Sequence, residues 1–148
     1  MELEYFTNLE RIPHKDITIF MITVLKDLPT PLQWQFTIES FREEFERVKH
    51  EHNKFAFIMD VRKIGRISIA QIKEFVNLLE SFTSILQEYL VATSILTTKN
   101  SILAVLFDIM KTFYNTKKPL MFVYDISSAY EHIDSFEKRI IKDELPVK

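Results

Sequence analysis

The 148-residue sequence predicts an α/β domain in which a mostly parallel sheet of four or five strands is flanked by about four helices. Three observations carry that reading. Near-continuous apolar runs of strand length, such as residues 55–59 (FAFIM), alternate with segments whose apolar residues recur every three or four positions. Two of these runs lead into an aspartate, Asp60 and Asp125, followed by a polar loop and a helical pattern, which is half of a βαβ unit. Strands that are apolar on both faces need cover on both faces, as parallel sheets receive from crossover helices. The length suits one domain spanning residues 1–148, with its core over about residues 14–138.

Residues 1–13 read as an edge strand opening near Tyr5 and Phe6, with Pro13 interrupting any regular element. Residues 17–25 (ITIFMITVL) are β-branched and apolar, hence a strand. The prolines of residues 28–31 (LPTP) stop it. Thr37 then reads as the cap of a helix whose inward face is Ile38, Phe41, Phe45 and Val48. Glu39, Glu43 and Glu44 would sit early, where the helix dipole favours anions, and Glu43 and Arg47 are spaced as an i,i+4 pair. A polar turn, residues 50–53 (HEHN), follows.

Residues 55–90 organise the chain. The strand 55–59 ends on Asp60, and a basic loop follows with Arg62, Lys63, Arg66 and Gly65, the only glycine. A long helix is expected from Ser68 to Leu90. Ser68 and Gln71 form a capping box, and Ile67 and Ile72 are spaced as a hydrophobic staple. Ile69, Ile72, Phe75, Val76, Leu79, Phe82, Leu86 and Leu90 make one apolar stripe, opposite Gln71, Lys73, Glu74, Asn77 and Glu80.

Residues 91–96 are a further strand, and residues 97–101 (TTKNS) a loop carrying helix caps. Leu103, Leu106, Ile109, Met110 and Phe113 line a third helix, which Lys117-Lys118-Pro119 ends. Residues 120–124 (LMFVY) read as a buried-type strand ending at Asp125. Ser128 and Glu131 form a second capping box for a last helix bearing Ile133, Phe136 and Ile140, and residues 142–148 read as a frayed tail.

Composition excludes several classes. Nineteen basic and 21 acidic residues give a net charge of -2, which is no nucleic-acid footprint. The absence of cysteine excludes disulfides, thiolate catalysis and cysteine-ligated zinc, and a cytoplasmic setting is expected. A single glycine excludes glycine-rich phosphate loops. No apolar run approaches the ~20 residues of a membrane span, so the chain is not expected to cross one. The start, MELEYFTNLER, is acidic and mixed and does not read as a signal peptide.

On this order of elements the chain resembles a STAS domain, the fold of bacterial anti-sigma-factor antagonists, and more closely the divergent subgroup grouped with the CRAL-TRIO lipid-binding superfamily. Three stretches carry the resemblance: FAFIMDVRKIGRIS, with its strand, aspartate and loop before the regulatory helix; VATSILTTKNSILAVLFDIM, with a helix beginning near Asn100; and KKPLMFVYDISSAYEHI. The resemblance implies a non-catalytic regulatory module that works by binding a protein partner. It also marks Ser68 as a phosphorylation candidate, although the acidic-serine-serine-glycine run of the antagonists is absent.

The residues give two candidate surfaces. Arg62, Lys63, Gly65, Arg66 and Ser68 form a cationic, permissive loop leaving the carboxyl end of a buried strand, where α/β sheets bind ligands. Asp60, Thr98, Asn100 and Asp125 form a polar edge at the same end, whose aspartates equally suit capping their own turns. His50-Glu51-His52 has neither the geometry nor a third ligand for a metal, and no cofactor is expected. Thirteen phenylalanines fit ordinary core packing, with an apolar lipid cavity as the alternative. A protein partner, a homodimer and a small apolar ligand thus stay open, and no catalytic residue is assigned.

Overall fold

The computed structural model describes residues 4–65, 67–98 and 118–144, with side chains as far as Phe136. Five strands form one sheet in sequence order: β1 (Thr7–His14), β2 (Ile17–Val24), β3 (Phe55–Asp60), β4 (Leu90–Leu96) and β5 (Leu120–Val123). β1 pairs antiparallel with β2, and every later pairing is parallel. Four helices are described: α1 (Pro31–Glu51), α2 (Ile69–Ser81), α3 (Thr83–Tyr89) and α4 (Ile126–Glu144). The sequence expectation of a mostly parallel α/β sheet therefore holds.

Alternation along the strands sorts the core into two layers of different character. Phe20, Phe55 and Phe57 turn to one face, where Trp34, Ile38, Phe41, Phe45 and Val48 of α1 and Leu78, Leu79 and Leu86 of α2 and α3 cover them. Rings meet there at 5.0–6.4 Å between centroids, as in Phe20–Phe55, Phe45–Phe82 and Phe41–Phe57. Most of the phenylalanine excess is this layer, although Phe36 is exposed. Ile19, Ala56, Ile58, Val91 and Ala92 turn to the other face, against Ala129 and Ile133 of α4.

Several local expectations are corrected. Pro13 does not interrupt β1: it pairs with Thr18 on a sheet edge, where a missing N–H is tolerated. The cap of α1 is Thr30, not Thr37. Thr30 Oγ1 accepts the Gln33 N–H at 3.1 Å, and Gln33 Oε1 accepts the Thr30 N–H at 2.9 Å. Pro31, read as a stop, occupies the first helical position, where proline is favoured. Thr37 is buried about two turns in and hydrogen-bonds Thr7 Oγ1 at 3.0 Å. Glu39, Glu43 and Glu44 are consequently mid-helix, and Arg47 pairs with Glu44 at 3.4 Å rather than with Glu43.

The expected helix to Leu90 is two helices, broken at Phe82 (φ -113°, ψ 25°), and Leu90 opens β4. Ser81 Oγ donates to the Leu78 carbonyl and Thr83 Oγ1 to the Glu80 carbonyl, both at 2.6 Å. Such bonds compete with the helix ladder. Ile69 is exposed, and Leu78, outside the predicted stripe, is buried. Asp125, not Ser128, caps α4, which continues to Glu144 into the expected tail. β5 is an edge strand with Met121 exposed, Phe122 half-buried and Val123 buried, and Tyr124 just beyond it is exposed. The predicted helix of Leu103–Phe113, and with it Asn100, lies outside the described residues.

Candidate functional site

Parallel pairing aligns the carboxyl ends of β2 to β5. Thr23 registers with Asp60, Asp60 with Leu96, and Leu96 with Val123. Backbone bonds extend the alignment, from the Val61 N–H to the Leu96 carbonyl and from the Thr97 N–H to the Val123 carbonyl, both at 3.0 Å. Asp60, Thr98 and Asp125 therefore share this edge. The basic loop and the start of α2 leave from it.

Each aspartate is engaged in its own loop. Asp60 accepts Arg62 Nε at 2.9 Å, Arg62 Nη2 at 2.8 Å and the Arg62 backbone N–H at 3.2 Å. The Arg62 guanidinium holds the Asp60 carboxyl below the usual carboxylate range, against a smaller upward push from burial. Arg62 is thereby a neutralised cation. Asp125 accepts the Ser128 N–H at 2.7 Å and the Ser128 hydroxyl at 3.1 Å, and the backbone bond leads in lowering its pKa. Thr98 is exposed, whereas its neighbour Thr97 is buried with no partner for its hydroxyl among the described residues.

In the loop, Lys63 is exposed and has no ion pair among the described residues, while Arg66 lies outside them. Gly65 has an ordinary negative φ, so permissive backbone is not its contribution. Its N–H donates to the Asp27 carbonyl at 3.0 Å, and a Cβ there would stand 3.1 Å from Asp27 Cβ. Glycine at this position lets the basic loop press against the β2–α1 connection. Ser68 caps α2 in a complete box: Ser68 Oγ accepts the Gln71 N–H and Gln71 Oε1 accepts the Ser68 N–H, both at 3.0 Å.

Beneath this loop lies an apolar cavity of about 120 Å³, partly open to solvent. Its floor is Ile22 and Val24 of β2, Met59 of β3, Ile95 of β4 and Phe122 of β5, with Val61 just beyond β3. Trp34, Thr37 and Phe41 of α1 form one wall, and Ile72 and Phe75 of α2 another. Ile64 and Ile67 of the basic loop close the roof. The wall is essentially all carbon, since the hydroxyls of Thr7 and Thr37 are turned to each other. The sequence reading held an apolar cavity only as an alternative and did not place it beneath the basic loop. Its signal was the alternation in VRKIGRI, where Val61, Ile64 and Ile67 recur every third residue inside a basic loop.

Of His50-Glu51-His52, Glu51 pairs with Arg11 at 2.9 Å, and His52 Nδ1 bonds Tyr89 Oη at 2.6 Å. Among the described residues no group of three histidine or acidic side chains is placed to hold a metal, and no helix is long and apolar enough to cross a membrane. No protein-family model matches the chain, and no curated protein matches it.

Proposed function

We propose that the chain is a non-catalytic, STAS-like binding module that takes a small apolar group into the cavity beneath residues 61–67. The cavity carries this reading. Native cores are packed with few voids larger than a water molecule. A void of about 120 Å³ walled by carbon, between the sheet and its helices and partly open to solvent, has the character of a small-ligand pocket. The STAS-like part rests on the sequence resemblance, together with a mostly parallel sheet and a well-capped helix after the strand–aspartate–loop segment. The non-catalytic part is supported by the two edge carboxylates, both engaged within their own loops.

A second reading has its own observation. Leu28, Leu32 and Ile69 are exposed on the segments that leave this edge. Exposed apolar residues around a pocket also fit a regulatory protein partner, whose anchoring side chain would fill the cavity. Native mass spectrometry of protein purified without added ligand separates the two. The first reading expects a retained small mass that Ile95→Phe, which fills the cavity floor, abolishes. A bare monomer mass from both proteins overturns it, and a dimer or protein complex lost in Ile95→Phe supports the second.

A further inference from the structure

The carbon wall of the cavity contains one residue whose donor is unmet. Trp34 lines the cavity and is buried, at 7% exposure. Its indole Nε1 is buried with no hydrogen-bond partner among the described residues. Native structures leave few such groups unmet, because a buried donor without a partner forfeits the bonds it had in water. The neighbouring Phe6, with ring centroids 6.2 Å apart and planes at 63°, offers only a π face, a second-order acceptor. The hydroxyls of the lining, Thr7 and Thr37, bond each other at 3.0 Å.

The chemistry of the wall narrows what an occupant can be. An indole N–H donates and cannot accept, so a group that meets it must carry an acceptor. A water molecule would meet Trp34 and little else, whereas buried waters hold about three bonds. A hydroxyl would bring a proton of its own into a wall of carbon, and a carboxylate would bring an unpaired charge, and both are costly to bury. A carbonyl oxygen brings neither. By comparison with an apolar cavity of ~150 Å³ that accepts benzene, a volume of about 120 Å³ takes about five or six heavy atoms.

We propose that the occupant is a compact neutral carbonyl compound of that size, its hydrocarbon against the carbon wall and its oxygen accepting the Trp34 Nε1 hydrogen. This rests on the apolar-ligand reading of the cavity and adds the polar atom to it.

The test adds cyclopentanone or methylcyclopentane, which match in ring and heavy-atom count, to the isotope-labelled full chain. Trp34 is the only tryptophan, so the nitrogen–proton correlation spectrum holds a single indole N–H signal. Both probes are expected to shift the methyl signals of Ile72 in the wall and Ile95 in the floor. Only cyclopentanone should move the indole signal downfield, as a new hydrogen bond does. Trp34→Phe keeps a ring and removes the donor, and it should weaken cyclopentanone roughly tenfold more than methylcyclopentane, the upper range for one neutral hydrogen bond. Both probes feel the change in volume, so the difference between them isolates the bond. An indole signal that cyclopentanone leaves in place, or equal losses of both probes in Trp34→Phe, overturns the carbonyl contact while the cavity reading stands. Should Trp34→Phe fail to fold, the indole shift of the natural chain decides alone. If neither probe moves Ile72 or Ile95, the cavity reading fails and this inference fails with it.

Discussion

Asp60 shows how a single side chain can look functional in sequence and prove structural in its contacts. A carboxylate ending a buried strand is a natural ligand-edge group. Here its side-chain bonds among the described residues go to Arg62, two residues on. The pair has a defined pH signature. The folded-state pKa of Asp60 lies below its unfolded value, chiefly through the hydrogen bond from Arg62. Its contribution is therefore fully present above the unfolded carboxylate range and is lost as pH falls through the lower, folded value. Asp60→Asn should cost about 0.5–1 kcal/mol near pH 7, discounted because Arg62 is exposed. Urea denaturation should show the gap between the two proteins closing in acid. A gap that is constant with pH would mean that Asp60 acts by shape and not by charge. Position and residue type were legible in the sequence, but the partner was not, because Arg62, Lys63 and Arg66 are equivalent on paper and only loop geometry selects among them.

Helix starts were legible where one capping signal stood alone and misread where two competed. Ser68–Gln71 is the only capping box near α2, and the structure contains it. At α1, Thr30–Gln33 is the same signal, obscured by Pro29 and Pro31, which are ordinarily breakers. Proline at the first helical position loses no hydrogen bond, so the breaker becomes a starter. Both caps should act alike. Ser68→Ala and Thr30→Ala should each destabilise by about 1 kcal/mol, and Ser68→Asp should be tolerated because aspartate also caps and suits the dipole. Chemical denaturation checks this, and Ser68→Ala equal to wild type would refute it. The break at Phe82 had no comparable signal. The apolar stripe runs through it, and the back-bonds of Ser81 and Thr83 that accompany it depend on rotamers rather than on residue order.

Taken together, the two faces of the sheet are built from different material, and this decides where volume is missing. Rings do not interdigitate as finely as branched aliphatics, and the void lies at one end of the phenylalanine-rich layer. Away from the void that layer is tightly joined: Phe57 meets Phe20, Phe41, Phe45 and Phe55 at 5.3–6.4 Å. Phe57→Ala should cost about 3–5 kcal/mol, against about 0.5–1.5 kcal/mol for Ile58→Val on the other face. Thermal or urea unfolding of the two variants checks the contrast, and equal losses would deny the layer its role. The sequence made the strands and the inward residues of α1 legible, because periodicity records which side is buried. It did not reveal the cavity, since a void is defined by what several distant segments leave unfilled: Trp34, Ile64, Ile95 and Phe122 are unrelated until the sheet aligns them.

The sheet is laid down in chain order, yet its two faces are not covered in that order. α1, α2 and α3 all lie on the aromatic side, and among the described residues only α4 covers Ile19, Ala56, Ile58, Val91 and Ala92. A chain emerging from the ribosome would thus complete β1 to β4 with one side of that sheet sealed and the other bare. Among the described residues the cover for this aliphatic surface comes only with α4, and until then it stands next to an open strand edge, a combination prone to aggregation. The docking of α4 is therefore the step at which molecular chaperones have most to protect.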